Sequence, residues 1–176
     1  MPLSYTHWGQ SMAAGAEVLE GVIKQRHKPD WRLDSTKIDG KPVPVTQEVA
    51  LSLPFCDLLH FKRDAKALND PQVLVVAPMS GHYATLLRGT VEALLPGHDV
   101  YVTDWHDARD IPASEGDFDL DSYIDYLMRF MRHLGRETHV IAVCQPAPMV
   151  LAAVSLLAAD GDKAQQAVEA VKAALA

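Results

Sequence analysis

Cysteine is scarce: Cys56 and Cys144 are the only two in 176 residues, too few for a disulfide framework, and both read as free thiols in a reducing compartment. Positive charge is also short, with 16 Lys and Arg against 23 Asp and Glu and a net charge of -7. Phosphate neutralisation is therefore excluded as a general mode of binding, and nucleic acid with it. No apolar run approaches bilayer-spanning length, and no basic leader precedes an apolar stretch at the start, so neither a transmembrane segment nor a secretory signal is expected. The chain reads as cytoplasmic.

Motifs for bound groups are missing too. The eight histidines form no His-x-x-x-His and the cysteines no Cys-x-x-Cys, so no metal is expected. No Gly-x-Gly-x-x-Gly or phosphate loop occurs, which leaves a nucleotide cofactor without support. There is no internal repeat.

What remains is an ordinary globular composition, 48% hydrophobic and 22% charged, at a length that suits one domain. Trp8, Met12, Leu19, Val22 and Ile23 recur at helical spacing and predict an amphipathic helix, followed by a connecting loop from Lys28-Pro29 through the polar run Asp34 to Pro44. Val49, Leu51 and Leu53 alternate with polar neighbours and, with Cys56 to Phe61, predict two early strands that pair as a hairpin. Cys56 lies in the second of these, with no helix start beside it, and reads as packing.

After Gln72 the pattern changes. Val73 to Ala77 is a continuous apolar run of the kind buried on both faces of a sheet. Leu87, Val91, Leu94 and Leu95 then share a helical face, and Val100 to Thr103 is the next strand. A helix over Leu120 to Leu134, with Ile124, Leu127, Met131 and Leu134 in phase, stops at Gly135, where a positive-φ cap is expected. Val140 to Val143 gives another buried strand, and Ala147 to Ala159 a helix apolar almost all round and so expected to be buried. Alternating strands and helices specify a mostly parallel α/β sheet with helices on both faces and functional loops at the strand carboxyl ends.

Cys144 stands at such an end. The run His139-Val-Ile-Ala-Val-Cys-Gln-Pro146 is a strand, a thiol and a helix start, with Ala142 filling one small position of a nucleophile elbow and Pro146 the other. A thiol there meets unpaired backbone N–H groups and the positive end of a helix dipole, which favour thiolate. The N–H of Gln145 is placed to donate to a developing oxyanion, and Met79 or Ser80, on the loop Ala77 to His82, is the expected second donor. Gly81 lets that loop approach closely. His82, His106, Asp104 and Trp105 fall in loops at strand carboxyl ends, where site-lining residues collect.

Through Val73-Leu-Val-Val-Ala-Pro-Met-Ser-Gly-His82, Val100-Tyr-Val-Thr-Asp-Trp105 and Val140-Ile-Ala-Val-Cys-Gln-Pro146, the chain resembles the intracellular polyhydroxyalkanoate (polyhydroxybutyrate) depolymerases of bacteria. The likeness extends into Ala13-Ala-Gly-Ala16, Leu53-Pro-Phe-Cys56 and Phe61-Lys-Arg-Asp64, covering residues 1–162. The resemblance implies an α/β-hydrolase acting on the polymer or on a granule surface, cleaving 3-hydroxybutyrate esters through a cysteine, histidine and aspartate triad, with Cys144 as nucleophile. Related polyhydroxyalkanoate synthases carry a cysteine at the same place, so a thiol acyltransferase is the enzymatic alternative. A non-catalytic granule-binding module is the other.

The departure from the family lies beyond Cys144. Such depolymerases supply their aspartate and histidine from later strands, whereas here no histidine follows Cys144, and Asp160, Asp162 and Glu169 are the only later carboxylates. Residues 163–176 read as an alanine-rich helix where the family has another strand. The expectation is the amino-terminal part of a hydrolase, truncated and impaired in turnover. The Val140 strand would then present an apolar edge that the terminal helix or a second copy of the chain must cover, so a homo-oligomer is one of two expected arrangements.

Overall fold

The computed structural model describes residues 11, 14, 28–65, 69–79, 83–135 and 137–160. The expected helix over Trp8 to Ile23 and the terminal helix at 163–176 lie outside the described residues. Among the described residues six strands form one sheet: β1 (Ser35–Ile38), β2 (Lys41–Leu53), β3 (Cys56–Arg63), β4 (Gln72–Val76), β5 (Asp99–Trp105) and β6 (His139–Ala142). Their order is β1-β2-β3-β5-β4-β6. The first three strands and the β3–β5 pair are antiparallel, while β5, β4 and β6 run parallel.

The sheet is thus mixed. A parallel half holds the predicted strand–helix units, and antiparallel hairpins extend it on one side. The predicted β2–β3 hairpin is present, with Leu53 opposite Cys56. The loop expected over Asp34 to Pro44 is not a loop: Ser35–Ile38 is β1, and β2 already starts at Lys41. The cause is Asp39-Gly40, which takes φ of 51° and 76° between paired Ile38 and Lys41. Two successive positive-φ residues make the tight turn whose twist matches a hairpin, and Asp-Gly is a preferred pair for it.

Among the described residues three α-helices pack on the sheet: α1 (Arg88–Leu94), entered through a 3-10 turn at Ala84–Leu87, α2 (Leu120–Leu134) and α3 (Ala147–Ala159). Strand alternation divides the core in two. Val73 and Val75 of β4 meet Leu87, Val91 and Leu95 on one face, with Phe61, Val100 and Val102. Leu74 and Val76 meet Leu127, Phe130, Val150 and Val154 of α2 and α3 on the other. A strand with apolar residues at every position is what two covered faces require.

Helix α2 begins where Asp119 accepts the N–H of Ser122 at 2.8 Å and ends at Gly135, φ 95°. Its buried stripe is Tyr123, Tyr126, Leu127, Phe130 and Met131, whereas Ile124 and Leu134 are only partly buried. The tyrosines therefore rotate the buried face away from the one an aliphatic count predicts. Helix α3 was expected to be buried all round, yet Leu151 and Leu156 are exposed while Val150, Ala153, Val154 and Leu157 are buried. Only one face of α3 meets the sheet and α2; its apolar outer side lacks cover from the described residues.

Candidate active site

Connections from β4 and β6 diverge at the carboxyl end of the parallel strands. From β4 the chain passes through α1 to β5 on one side, then returns through α2, on the opposite face, to β6 on the other side of β4. Neighbouring strands whose loops part in this way leave a crevice between them, the usual place for a ligand in an open α/β sheet. The loops beside it are Ala77–Met79 after β4 and Val143–Pro146 after β6.

Cys144 occupies the second loop. It is exposed and has φ 66°, one of three non-glycine residues in the left-handed region among those described. A side chain held there costs roughly 1 kcal/mol or more of backbone strain, which the surrounding structure has to impose. Here β6 pairs with β4 up to Val76 opposite Ala142, the N–H of Val143 reaches the Val76 carbonyl at 3.4 Å, and the N–H of Ala147 bonds the Cys144 carbonyl at 3.2 Å as α3 starts. Strand and helix thus clamp the turn from both sides. A sharp strand-to-helix turn that lifts one side chain out of the sheet is the geometry of a nucleophile elbow.

Gln145 is half-buried, and its Oε1 accepts the N–H of Met79 at 3.1 Å. Ala77 is fixed from β5: Thr103 Oγ1 accepts its N–H at 2.9 Å, and the indole N–H of Trp105 donates to its carbonyl at 3.0 Å. Met79 is 40% exposed. Thus Cys144, Gln145 and Met79 come together, whereas Ser80, Gly81 and His82 lie outside the described residues.

The remaining candidates divide. Trp105 is buried, stacked on Tyr123 at 4.4 Å, and lines a cleft of ≈ 490 Å³ together with Phe55, Met79, Tyr83, His106 and Phe118. Cys144 is not among the residues lining that cleft, which reaches the elbow through Met79. Asp104 points elsewhere: its side chain is buried, ion-paired with Lys28, and its Oδ1 has no partner among the described residues. His106 places Nδ1 2.9 Å from the Pro54 carbonyl and Nε2 3.1 Å from Asp57 Oδ2. Both ring nitrogens thus face acceptors, and neither is left to take a proton from a thiol in this arrangement.

Sequence reading missed Lys28, Thr103 and the Asp57–His106 pair. No local signal marks them, because each acts through a partner far along the chain. Cys56 is fully buried; burial, then the nearby Asp104 charge, pushes its thiol well above the ordinary range. Among the described residues no cluster of His, Cys, Asp and Glu could hold a metal ion. No helix among them is long and apolar enough to cross a membrane.

No protein-family model matches the chain, and no curated protein does. Among solved structures it is similar to brefeldin A esterase, a bacterial homologue of human hormone-sensitive lipase, at 15% identity and a TM-score of 0.47, over 86% of this chain and 44% of that one. It is also similar to a predicted CIB-like hydrolase from Thermoplasma acidophilum, at 9% identity and a TM-score of 0.39, over 64% of this chain and 57% of that one. The chain spans about half the length of these two structures. The fold assignment rests on the sheet itself: antiparallel strands leading into parallel strand–helix units, with the elbow strand beside the strand of the expected oxyanion loop, are the α/β-hydrolase arrangement.

Proposed function

We propose that this chain carries the ester-cleaving thiol of an α/β-hydrolase of the intracellular polyhydroxyalkanoate depolymerase type, with Cys144 as acyl acceptor. The observation that supports this best is an exposed cysteine held at φ 66° between a parallel strand and a helix start. A buried packing thiol needs neither the exposure nor the strain.

In this reading the Cys144 sulfur attacks the ester carbonyl carbon, and the carbonyl π electrons move onto oxygen. The N–H of Gln145, with that of Met79 or Ser80, receives the oxyanion. The thiol proton is lost to solvent as the sulfur attacks; collapse expels the alcohol oxygen, which takes a proton back from solvent, and leaves a 3-hydroxybutyryl thioester on Cys144. Water then releases the hydroxyacid. The cleft bounded by Phe55, Trp105 and Phe118 suits the methyl-bearing backbone of the polymer. Positioned general-base assistance is typically worth about 10²- to 10⁴-fold, and a thiol depends on it less than a hydroxyl. Acylation is therefore expected to outrun deacylation wherever such a base is missing.

Intact mass after exposure to p-nitrophenyl butyrate tests the assignment. One butyryl adduct is expected on the parent and on Cys56→Ala, and none on Cys144→Ala. An adduct that survives in Cys144→Ala would sink the proposal. Release of free 3-hydroxybutyrate from polymer supports hydrolysis, whereas chain growth from 3-hydroxybutyryl-coenzyme A would favour the synthase-like alternative. Binding to polymer granules without any adduct would favour the non-catalytic module.

A further inference from the structure

Gln145 touches both sides of the crevice. Its backbone follows the Cys144 turn, while its side-chain oxygen sits 3.1 Å from the N–H of Met79 on the facing loop. A backbone N–H can meet only the oxygen end of a carboxamide, so the orientation of that group is fixed. The facing loop does not depend on this bond alone for its place. Thr103 and Trp105 already hold Ala77 by its N–H and its carbonyl, two residues before Met79. The Gln145 carboxamide thus adds less a support than an acceptor, lodged on a donor expected to receive substrate oxygen.

We propose that the Gln145 side chain is a built-in competitor for the Met79 donor, a neutral oxygen that yields to an oxyanion and resists a ground-state ester carbonyl. The inference rests on Cys144 being the acyl acceptor. An ester carbonyl is a weaker acceptor than a carboxamide, so exchanging one for the other gains nothing. An oxyanion forms a charge-assisted bond about twice as strong, so the exchange becomes favourable as charge develops. Donation from Met79 is then withheld from bound substrate and reaches the tetrahedral intermediate only when the Gln145 bond is given up, so the side chain holds acylation below the rate an unoccupied donor would allow. Gln145 is half-buried and Met79 is 40% exposed, which leaves the carboxamide an outward path. No covalent bond is made or broken in the swing: the Met79–Gln145 hydrogen bond is exchanged, and the displaced oxygen is taken up by water.

The prediction separates two reactions of one sulfur. Acylation by p-nitrophenyl butyrate passes through an oxyanion, and alkylation by iodoacetamide does not. Removing the competitor in Gln145→Ala, or in Gln145→Met, which keeps the bulk without an acceptor, should raise the ratio of acylation to alkylation at Cys144. A rise of roughly 3- to 10-fold is expected, the range set by one net hydrogen bond. An unchanged or lower ratio in either variant overturns the competitor role and would make the side chain a support for the loop. A parent protein that alkylates at Cys144 but is never acylated there instead defeats the assignment of Cys144 itself, and the competitor role with it.

Discussion

Two cysteines in one chain experience opposite environments. Cys144 is exposed on a strained turn, and Cys56 is sealed among Leu58, Trp105 and Tyr123 with its thiol pushed up by burial. In the native protein, brief iodoacetamide treatment should therefore add one label, at Cys144, with Cys56 labelled only in denaturant; peptide mass mapping reads both sites. Labelling of Cys56 under native conditions would show that this core opens. The difference was legible beforehand, because each thiol's place in its element follows from neighbouring residues. The Asp57–His106 and Lys28–Asp104 pairs were not, since nothing local announces partners 49 and 76 positions apart.

Elements show the same division between local and distant causes. The span of helix α2 was legible from its periodicity and Gly135, because both signals are local, whereas its buried face was not, because Tyr123 and Tyr126 take the inward positions. The β1–β2 hairpin was overlooked although Asp39-Gly40 announces it, because the polar, proline-bearing stretch around it masks the alternation of a half-exposed strand. Gly40 is the test of that turn: at φ 76°, with nothing among the described residues within 4 Å of an added Cβ, Gly40→Ala meets backbone strain and no clash with them. It should cost roughly 1 kcal/mol, seen as a lower denaturant midpoint with an unchanged slope. Gly89, in helix α1 and equally unobstructed, supplies the contrast. Gly89→Ala should stabilise by roughly 0.5 kcal/mol through the unfolded chain.

Across the whole molecule, the end of the sheet opposite Cys144 carries a titrating cluster. His60 stacks on Tyr101 at 4.2 Å and bonds Glu48 at 3.1 Å and Asp99 at 2.8 Å. Burial alone would lower the His60 pKa, but the bonds and charges of Asp99 and Glu48 outweigh it and raise it. Burial would likewise raise that of Asp99, yet His60 brings it below the usual carboxylate range. A raised histidine stabilises fully below its unfolded value and loses that contribution as pH climbs through the folded one. A depressed carboxylate stabilises above its unfolded value and loses it on acidification. The pair therefore contributes most between about pH 4 and pH 6.5. The melting-temperature difference between parent and His60→Gln should peak in that window and shrink above it. A difference that grows toward pH 9 would contradict the assignment. At this scale the α/β class was legible from the alternation of runs, whereas the antiparallel β3–β5 junction was not, because strand neighbours are chosen by tertiary packing.

Trp105 joins three parts of the molecule. Its indole N–H holds the Ala77 carbonyl, its ring lies on Tyr123, and its edge borders the cleft. It is therefore a natural optical reporter: an acyl group entering beside it would replace water next to the indole and move its emission toward the blue. Trp31, buried against Phe61 on the other side of the sheet, would keep its own spectrum. Titrating the parent and Trp105→Phe with a short 3-hydroxybutyrate oligomer would then read cleft occupancy directly, without a chemical label.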